Sequence, residues 1–424
     1  MVDSFLKVNY KNIKKMKKLI LSLVLVISIT CAFAQKSNVS KAKNKALMDD
    51  PDYAGAREAI KLALADSTTK NLAETWYVAG LIGNAENAKL YEKSLMPGAN
   101  IDKDVKGKAI LESYAYFLKA DSVGQIPDAK GKVNQKTRKD VKSKIKEYYN
   151  DGSNLITYGS YLFDAKRYAE ATSVFEIYTD IPSLPLMNNE IKLDSNYTKI
   201  RFYAGVAASS AELHDKAIKI FESLKDKKYE TSKVYQYLFG EYQAKKDTAK
   251  MFEVAKQGFE NDPKDAYLIG NLINLFIASN KVQEALNYLN TAIASDSKNT
   301  QYYLVQAKLY EDSKDFDAAR ATYDKVLTLD PKLGEAYSGI GRLYYNKAGK
   351  IWMDADSNLK DDKLIKAEKD KANAVFKEAI PFFKKAIEVA PAEIEYKRNL
   401  KTLYYRLGMT AEYDVLDKEI KALK

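Results

Sequence analysis

The chain has 424 residues, 46% apolar and 29% charged, with a formal net charge of +11, one cysteine (Cys31) and one histidine (His214). That balance suits ordinary globular material, long enough for two or three domains or one long array. It excludes a disulfide framework and a Cys/His metal site, since each needs several such residues.

Lys14, Lys15, Lys17 and Lys18 precede an apolar run from Leu19 to Ile29 and the small-residue site Ala32-Phe33-Ala34. The pattern predicts an export signal over residues 1–34, cleaved between Ala34 and Gln35. The apolar run is too short for a retained membrane span, which needs about 20 such residues. Met16 opens a tighter signal of its own. Cys31 follows Thr30, not the Gly, Ala or Ser that a bacterial lipid-attachment signal wants, so lipidation is the weaker reading. Residues 1–34 carry six lysines and one aspartate, so the remainder keeps a charge of only +6. That is weak pressure toward nucleic acid, and no such partner is expected.

Past the signal, apolar residues recur at helical spacing. Ala56, Ile60 and Ala63 suit the second helix of a first repeat. Trp76 and Ala79-Gly80 open another, whose second helix is delayed to about Ser113-Phe117-Ala120. Residues 96–150, rich in Lys and Asp and broken by Pro97-Gly98 and Pro127, are predicted to be an insert. Leu155, Tyr158-Gly159, Leu162, Ala171 and Phe175 mark a frame at 152–185, and a Pro- and Asn-containing loop is predicted at 186–197.

From residue 198 the period is 34 residues, with frames at 198–231, 232–265, 266–299, 300–333 and one opening at 334. The fourth place reads Tyr235, Ile269, Tyr303, Tyr337 and the eleventh Tyr242, Phe276, Tyr310, Tyr344. The twentieth reads Ala217, Met251, Ala285, Ala319 and the twenty-fourth Phe221, Ala255, Leu289, Tyr323. Pro263 and Pro331 close two frames, because proline cannot continue a helix. Residues 346–378, with Trp352 near the tip, are predicted to lengthen both helices of one unit. Leu400, Tyr404 and the charged run Asp414 to Lys424 suit a closing cap.

These recurrences resemble the tetratricopeptide repeat, whose pattern is an aromatic, Leu-Gly, Tyr, then Ala, Phe and Pro. The best frame is Tyr337, Ile340-Gly341, Tyr344, completed by Ala379, Phe383 and Pro391. Phe239 and Ile273 depart from it, standing at the eighth place where a small residue belongs. The resemblance implies an all-α solenoid, a right-handed superhelix of antiparallel helix pairs, with eight or nine repeats over residues 35–424. It also implies a concave groove lined by places 2, 5, 9 and 12 of each first helix. Carried over place by place, those are Tyr77, Phe202, Gln236, Tyr267, Asn274, Lys308, Arg342, Tyr345 and Arg398. Aromatics early and cations late suit an extended or helical segment with an acidic end. The family's carboxylate clamp is not reproduced: Gly270 replaces its first lysine, and Gln301 and Val305 its basic pair.

No catalytic constellation is visible. Gly131-Lys132 and Gly349-Lys350 lack the upstream glycine of a phosphate-binding loop. Asp49-Asp50 and Asp361-Asp362 are adjacent acids that do not converge on a substrate. His214 falls in a short turn, where a solvent-exposed role is expected. No cofactor is expected. These features together predict a non-enzymatic scaffold that grips a protein or peptide in the periplasm or cell envelope of a Gram-negative bacterium. The Ala-Phe-Ala-Gln junction and the Lys/Asn/Tyr-rich style resemble exported repeat proteins of Bacteroidetes. A glycan-binding surface protein on the same frame is the alternative. It would want grouped tryptophans, whereas Trp76 and Trp352 are far apart in the chain.

Overall fold

The computed structural model describes residues 36–358 and 360–422. The expected signal, its cleavage site at Ala34 and Gln35, and Cys31 lie outside them. Among the described residues the regular elements are 19 α-helices and two 3₁₀ turns, with no strand. The fold is an all-α solenoid of successive helices. The described chain divides into two compact units, one ending at Lys245 and the other opening at Lys246.

The first unit holds α1 (36–47), α2 (Tyr53–Ala65), α3 (Ala73–Ser94), α4 (Lys103–Gly124), α5 (Gln135–Asn150), α6 (Ser153–Asp164), α7 (Tyr168–Asp180), α8 (Ser195–Ser210), α9 (His214–Glu222) and α10 (Thr231–Ala244). Small residues set its opening core, where Ala42, Ala46, Ala56, Ala63 and Ala79 surround Ile60 and Ile82. The first helix of a repeat packs on the second through one recurring device. An aromatic of the second helix lies where a glycine of the first has no side chain. A Cβ at Gly80 would stand 2.5 Å from the Phe117 ring, at Gly159 2.4 Å from Phe175, and at Gly205 2.7 Å from Phe221. Each such ring is fully buried, contributing about 1.5–3 kcal/mol by area.

One helix has no counterpart in the 34-residue plan. Part of the expected insert at 96–150 is α5, which packs on α3 and α4. The chain then breaks at Asp151-Gly152, and α6 turns away to pack on α4 and α7. The 3₁₀ turns Ile181–Ser183 and Pro185–Met187 occupy the start of the loop after α7, and Ile181 and Met187 are buried.

The second unit holds α11 (Thr248–Asn261), α12 (Ala266–Ala278), α13 (Val282–Ser295), α14 (Thr300–Asp312), α15 (Phe316–Leu329), α16 (Gly334–Asn358), α17 (Asp362–Val389), α18 (Ile394–Arg406) and α19 (Thr410–Ala422). Asp247, Asp265 and Asp315 cap α11, α12 and α15 by accepting a backbone N–H of the first turn. The glycine device recurs in the longest pair, α16 and α17, where a Cβ at Gly341 would stand 2.8 Å from the Phe383 ring. Pro381 lies inside α17, which runs on through it. Trp352 of α16 is held between Lys369 of α17 and Arg406 of α18, each cation 4.9 Å from the ring centre. The lengthened helix pair is thereby tied to α18 at Trp352.

The turns inside the repeats share a feature that carries no sequence signature. Glu212, Lys246, Asn280 and Lys314 have left-handed backbones, with φ of 57°, 57°, 55° and 62°, at intervals of 34 residues. Three of the turns close with a bond from the following amide to a carbonyl five residues back: Leu213 to Ala208, Lys281 to Phe276, and Asp315 to Tyr310. This is the Schellman closure of a helix end.

Candidate functional site

The nine side chains carried over by resemblance fall into two groups. Tyr267, Asn274, Lys308 and Arg398 are exposed on α12, α14 and α18. Tyr267 is 45% accessible, Lys308 lies 3.3 Å from Asp312, and Arg398 lies 3.3 Å from Glu395. Gln236 on α10 is half-buried. Of the other four, Phe202 is buried, which corrects the expectation that it lines an open groove. Tyr77, Arg342 and Tyr345 are half-buried against neighbouring helices. Phe202 is 6% exposed, inside a cage formed by Phe221, Tyr229 and Tyr237. Tyr77 leans on Phe117, with centroids 5.5 Å apart, and Tyr345 meets Phe376 edge-on at 5.1 Å. Arg342 turns inward to Glu311. The physical reason is common to all four: these side chains are large enough to reach a neighbouring helix, and burial of the ring or pairing of the charge wins over exposure.

His214 keeps the solvent exposure expected of it, with 38% of its side chain accessible, and also has a partner. It opens α9, and its Nδ1 lies 2.7 Å from Oε2 of Glu241 on α10, a carboxylate almost wholly buried. The Ser209 hydroxyl donates to the other oxygen.

The clearest concavities in the first unit flank α6. One cleft, of about 550 Å³, sits at the break between α5 and α6 and is lined by Lys146, Tyr149, Gly152, Ser153, Lys192 and Asp194 among others. The second, of about 310 Å³, lies between α6 and the loop joining α3 to α4, with Asn100, Lys103, Lys106, Asn154 and Tyr161 in its wall. Thr157 lines both. Burial, opposed by Asp151, holds the Lys106 ammonium below its ordinary value. Burial, with Asp104 next, pushes the Tyr158 phenol up to about 12. Beside the first cleft the Tyr149 hydroxyl is buried against Tyr178 and the Asp194 backbone. Beside the second the buried Oδ1 of Asn154 has no hydrogen-bond partner among the described residues. The sequence reading singled out neither residue. The signal available was the pair of inserts, at 96–150 and 186–197, on either side of one frame.

Among the described residues no group of three or more His, Cys, Asp or Glu is placed to hold a metal ion. No helix there is long and apolar enough to cross a membrane.

Residues 271–333 match the family model described as tetratricopeptide repeat. Residues 271–333 are tetratricopeptide repeats. No curated protein gives a significant match. Solved structures similar to this repeat protein include the MamA protein, at 20% identity and TM-score 0.34, covering 47% of this chain and 94% of that one. The C-terminal part of a TPR repeat-containing protein from Cytophaga hutchinsonii is 20% identical with TM-score 0.43, covering 63% of this chain and 95% of that one. YrrB, described as a TPR protein with an unusual peptide-binding site, is 15% identical with TM-score 0.33, covering 46% and 88%. At such scores these likenesses add nothing to the site, which rests on the repeat protein's own residues.

Three helical glycines, Gly240 on α10, Gly270 on α12 and Gly349 on α16, have nothing within 4 Å of where a Cβ would stand. The first two sit at places 9 and 5 of their frames, both groove places of the family. In the interior of a helix each costs about 1 kcal/mol relative to alanine. Among the described residues no packing requires that cost.

Proposed function

We propose that this protein is a non-enzymatic scaffold that holds another protein or a peptide against the solvent-facing sides of its first helices, after export to the periplasm or cell envelope. The observation that carries the binding role is Gly270. It is a helix-interior glycine at a groove place, with open space before it and with Tyr267 and Asn274 exposed on the same helix. A glycine there lets a partner's backbone approach closely, a use for which the residue is otherwise costly. Export rests on residues 1–34 alone.

The glycan-binding alternative needs an aromatic platform, and both tryptophans have other work. Trp76 donates its indole N–H to the Lys70 carbonyl at 2.7 Å and leans on Tyr116, and Trp352 is clasped by two cations. The test is capture from an envelope extract on immobilised full chain, comparing wild type with Gly270→Trp, which fills the open face without touching the core. A protein held by wild type and released by the variant is the expected result. Retention of polysaccharide alone, or an identical protein set on both columns, would overturn the reading.

A further inference from the structure

The α3–α4 pair carries an apolar tip that no described part of the protein covers. Every residue from Tyr91, in the last turn of α3, to Asn100 is exposed. Leu95 and Met96 stand side by side where α3 ends, 68% and 62% accessible, and Tyr91 and Val105 flank them, both exposed. Pro97-Gly98 then turns the chain. Gly98 has φ 77° and nothing within 4 Å of where a Cβ would stand. On its inner side the loop is held off α6 by the cleft of about 310 Å³. Exposed apolar side chains are ordinary one at a time, but four at one tip mark a contact surface.

The charge around that tip is left over with one sign. Its acids are occupied: Glu92 lies 3.5 Å from Lys89, Asp102 accepts two first-turn amides of α4, and Asp104 is held by Arg167. Lys93, Lys103 and Lys106 have no carboxylate partner among the described residues. Lys106 lays its ammonium over the Tyr91 ring at 4.7 Å, and Lys103 over Tyr161 at 5.2 Å. Such side chains cover apolar surface with their stems and keep the charge at its edge. A protein partner fits this tip poorly. Protein interfaces are depleted in lysine, and a stable one takes about 800 Å² from each side, more than four side chains at a tip supply. We infer that the α3–α4 tip docks the protein on an anionic lipid surface, with Leu95 and Met96 entering the acyl boundary and the lysines meeting the headgroups. Tyr91 brings an amphipathic ring of the kind that settles at that boundary. The attachment is peripheral, since no described helix is long and apolar enough to cross a membrane.

The test is vesicle co-sedimentation of residues 35–424, which keep every described helix and lack the apolar run Leu19 to Ile29 that would bind lipid by itself. The vesicles are phosphatidylcholine alone, or phosphatidylcholine with about 30% phosphatidylglycerol. Wild type should bind the anionic vesicles about tenfold better than the neutral ones, and lose that preference in about 1 M salt. Leu95→Asp combined with Met96→Asp should weaken binding by about twentyfold or more, since both side chains leave the apolar layer. Lys93→Gln and Lys103→Gln should each weaken it about fivefold. Ile126→Asp alters an equally exposed apolar residue about 30 Å away along α4 and should bind as wild type does. No binding at about 1 mM lipid, or equal binding to both vesicles at low salt, would overturn the assignment, and neither result depends on a variant folding. So would a double variant that binds like wild type, or an Ile126→Asp loss that matches it. A protein captured through Leu95 and Met96 by a chain that ignores vesicles would make the tip a protein contact instead. The Gly270 face is untouched by these substitutions, so failure here leaves the scaffold reading standing.

Discussion

Arg342 on α16 donates from Nε and Nη2 to the two carboxylate oxygens of Glu311 on α14, at 3.1 and 3.2 Å. The Tyr323 hydroxyl, from α15 between them, donates to the same carboxylate at 2.9 Å. Three helices of two successive repeats are thereby tied at one nearly buried acid. Glu311→Gln should cost about 1–3 kcal/mol in urea unfolding, the range for a disrupted buried hydrogen bond to a charge. Arg342→Ala should cost a similar amount, and the double variant clearly less than the sum, because both remove one network. Lys308→Ala, on the exposed flank, should stay within about 0.5 kcal/mol. An additive double variant would mean that the two residues act separately.

The glycines divide into two mechanical classes, and one substitution separates them. Gly341→Ala places a methyl group 2.8 Å from the Phe383 ring, so the helices must part, and a loss of about 1–3 kcal/mol is expected, as for overpacked cores. Gly270→Ala meets nothing and should gain about 1 kcal/mol from helix propensity. Thermal melts of both variants check the pair. A gain at Gly341 or a loss at Gly270 would reverse the assignment.

Phe239 fills the eighth place where the family carries a small residue, and it is fully buried. Truncation to glycine should cost about 2–5 kcal/mol through the cavity left behind. A change within about 0.5 kcal/mol, the surface range, would show that the site collapses without loss.

Left-handed turns without glycine hold removable strain. Lys314 sits at φ 62° with a full side chain, a conformation costing roughly 1–2 kcal/mol for such a residue. Lys314→Gly should raise stability by about 1 kcal/mol, and Asn280→Gly by less, since asparagine tolerates this region. Equal gains at both turns would remove the residue-specific explanation.

The closing helix carries a pH-dependent contact. Asp417 on α19 accepts from Lys401 of α18 and from Lys421, both at 2.8 Å, and these cations, Lys401 first, hold its carboxyl at about 2, below its ordinary 3.8. A depressed folded-state value stabilises above the unfolded value, and the contribution is lost as pH falls through the folded one. Asp417→Asn should therefore lower Tm at neutral pH, with the gap to wild type narrowing as pH falls from about 4 toward about 2. A gap that stays constant would assign the effect to packing.

The repeat itself was legible because stacking demands identical volumes at identical intervals. Ala217, Ala285 and Ala319 are all fully buried at the twentieth place, and Phe221, Leu289 and Tyr323 fill the twenty-fourth. The glycines at 80, 159, 205 and 341 were legible for the same reason, since a close helix approach admits no Cβ. Other features left no local mark. Phe202 and Arg342 looked like surface residues by place, yet a long side chain can swing toward a neighbouring helix, and only that helix decides whether it does. The left-handed turns escaped notice because Lys and Glu carry no signature for that backbone, which the closing hydrogen bonds impose. Pro381 would end most helices, but α17 is long and packed on both sides, and it continues.

By itself the sequence determined the helical class, the 34-residue period and the partners across each helix pair, all consequences of local propensity and recurring side-chain volume. Only the tertiary structure decided where the chain breaks between α5 and α6 and which side chains face solvent. Those outcomes depend on groups far apart in sequence competing for the same space and the same hydrogen bonds, and no single stretch of chain records that competition.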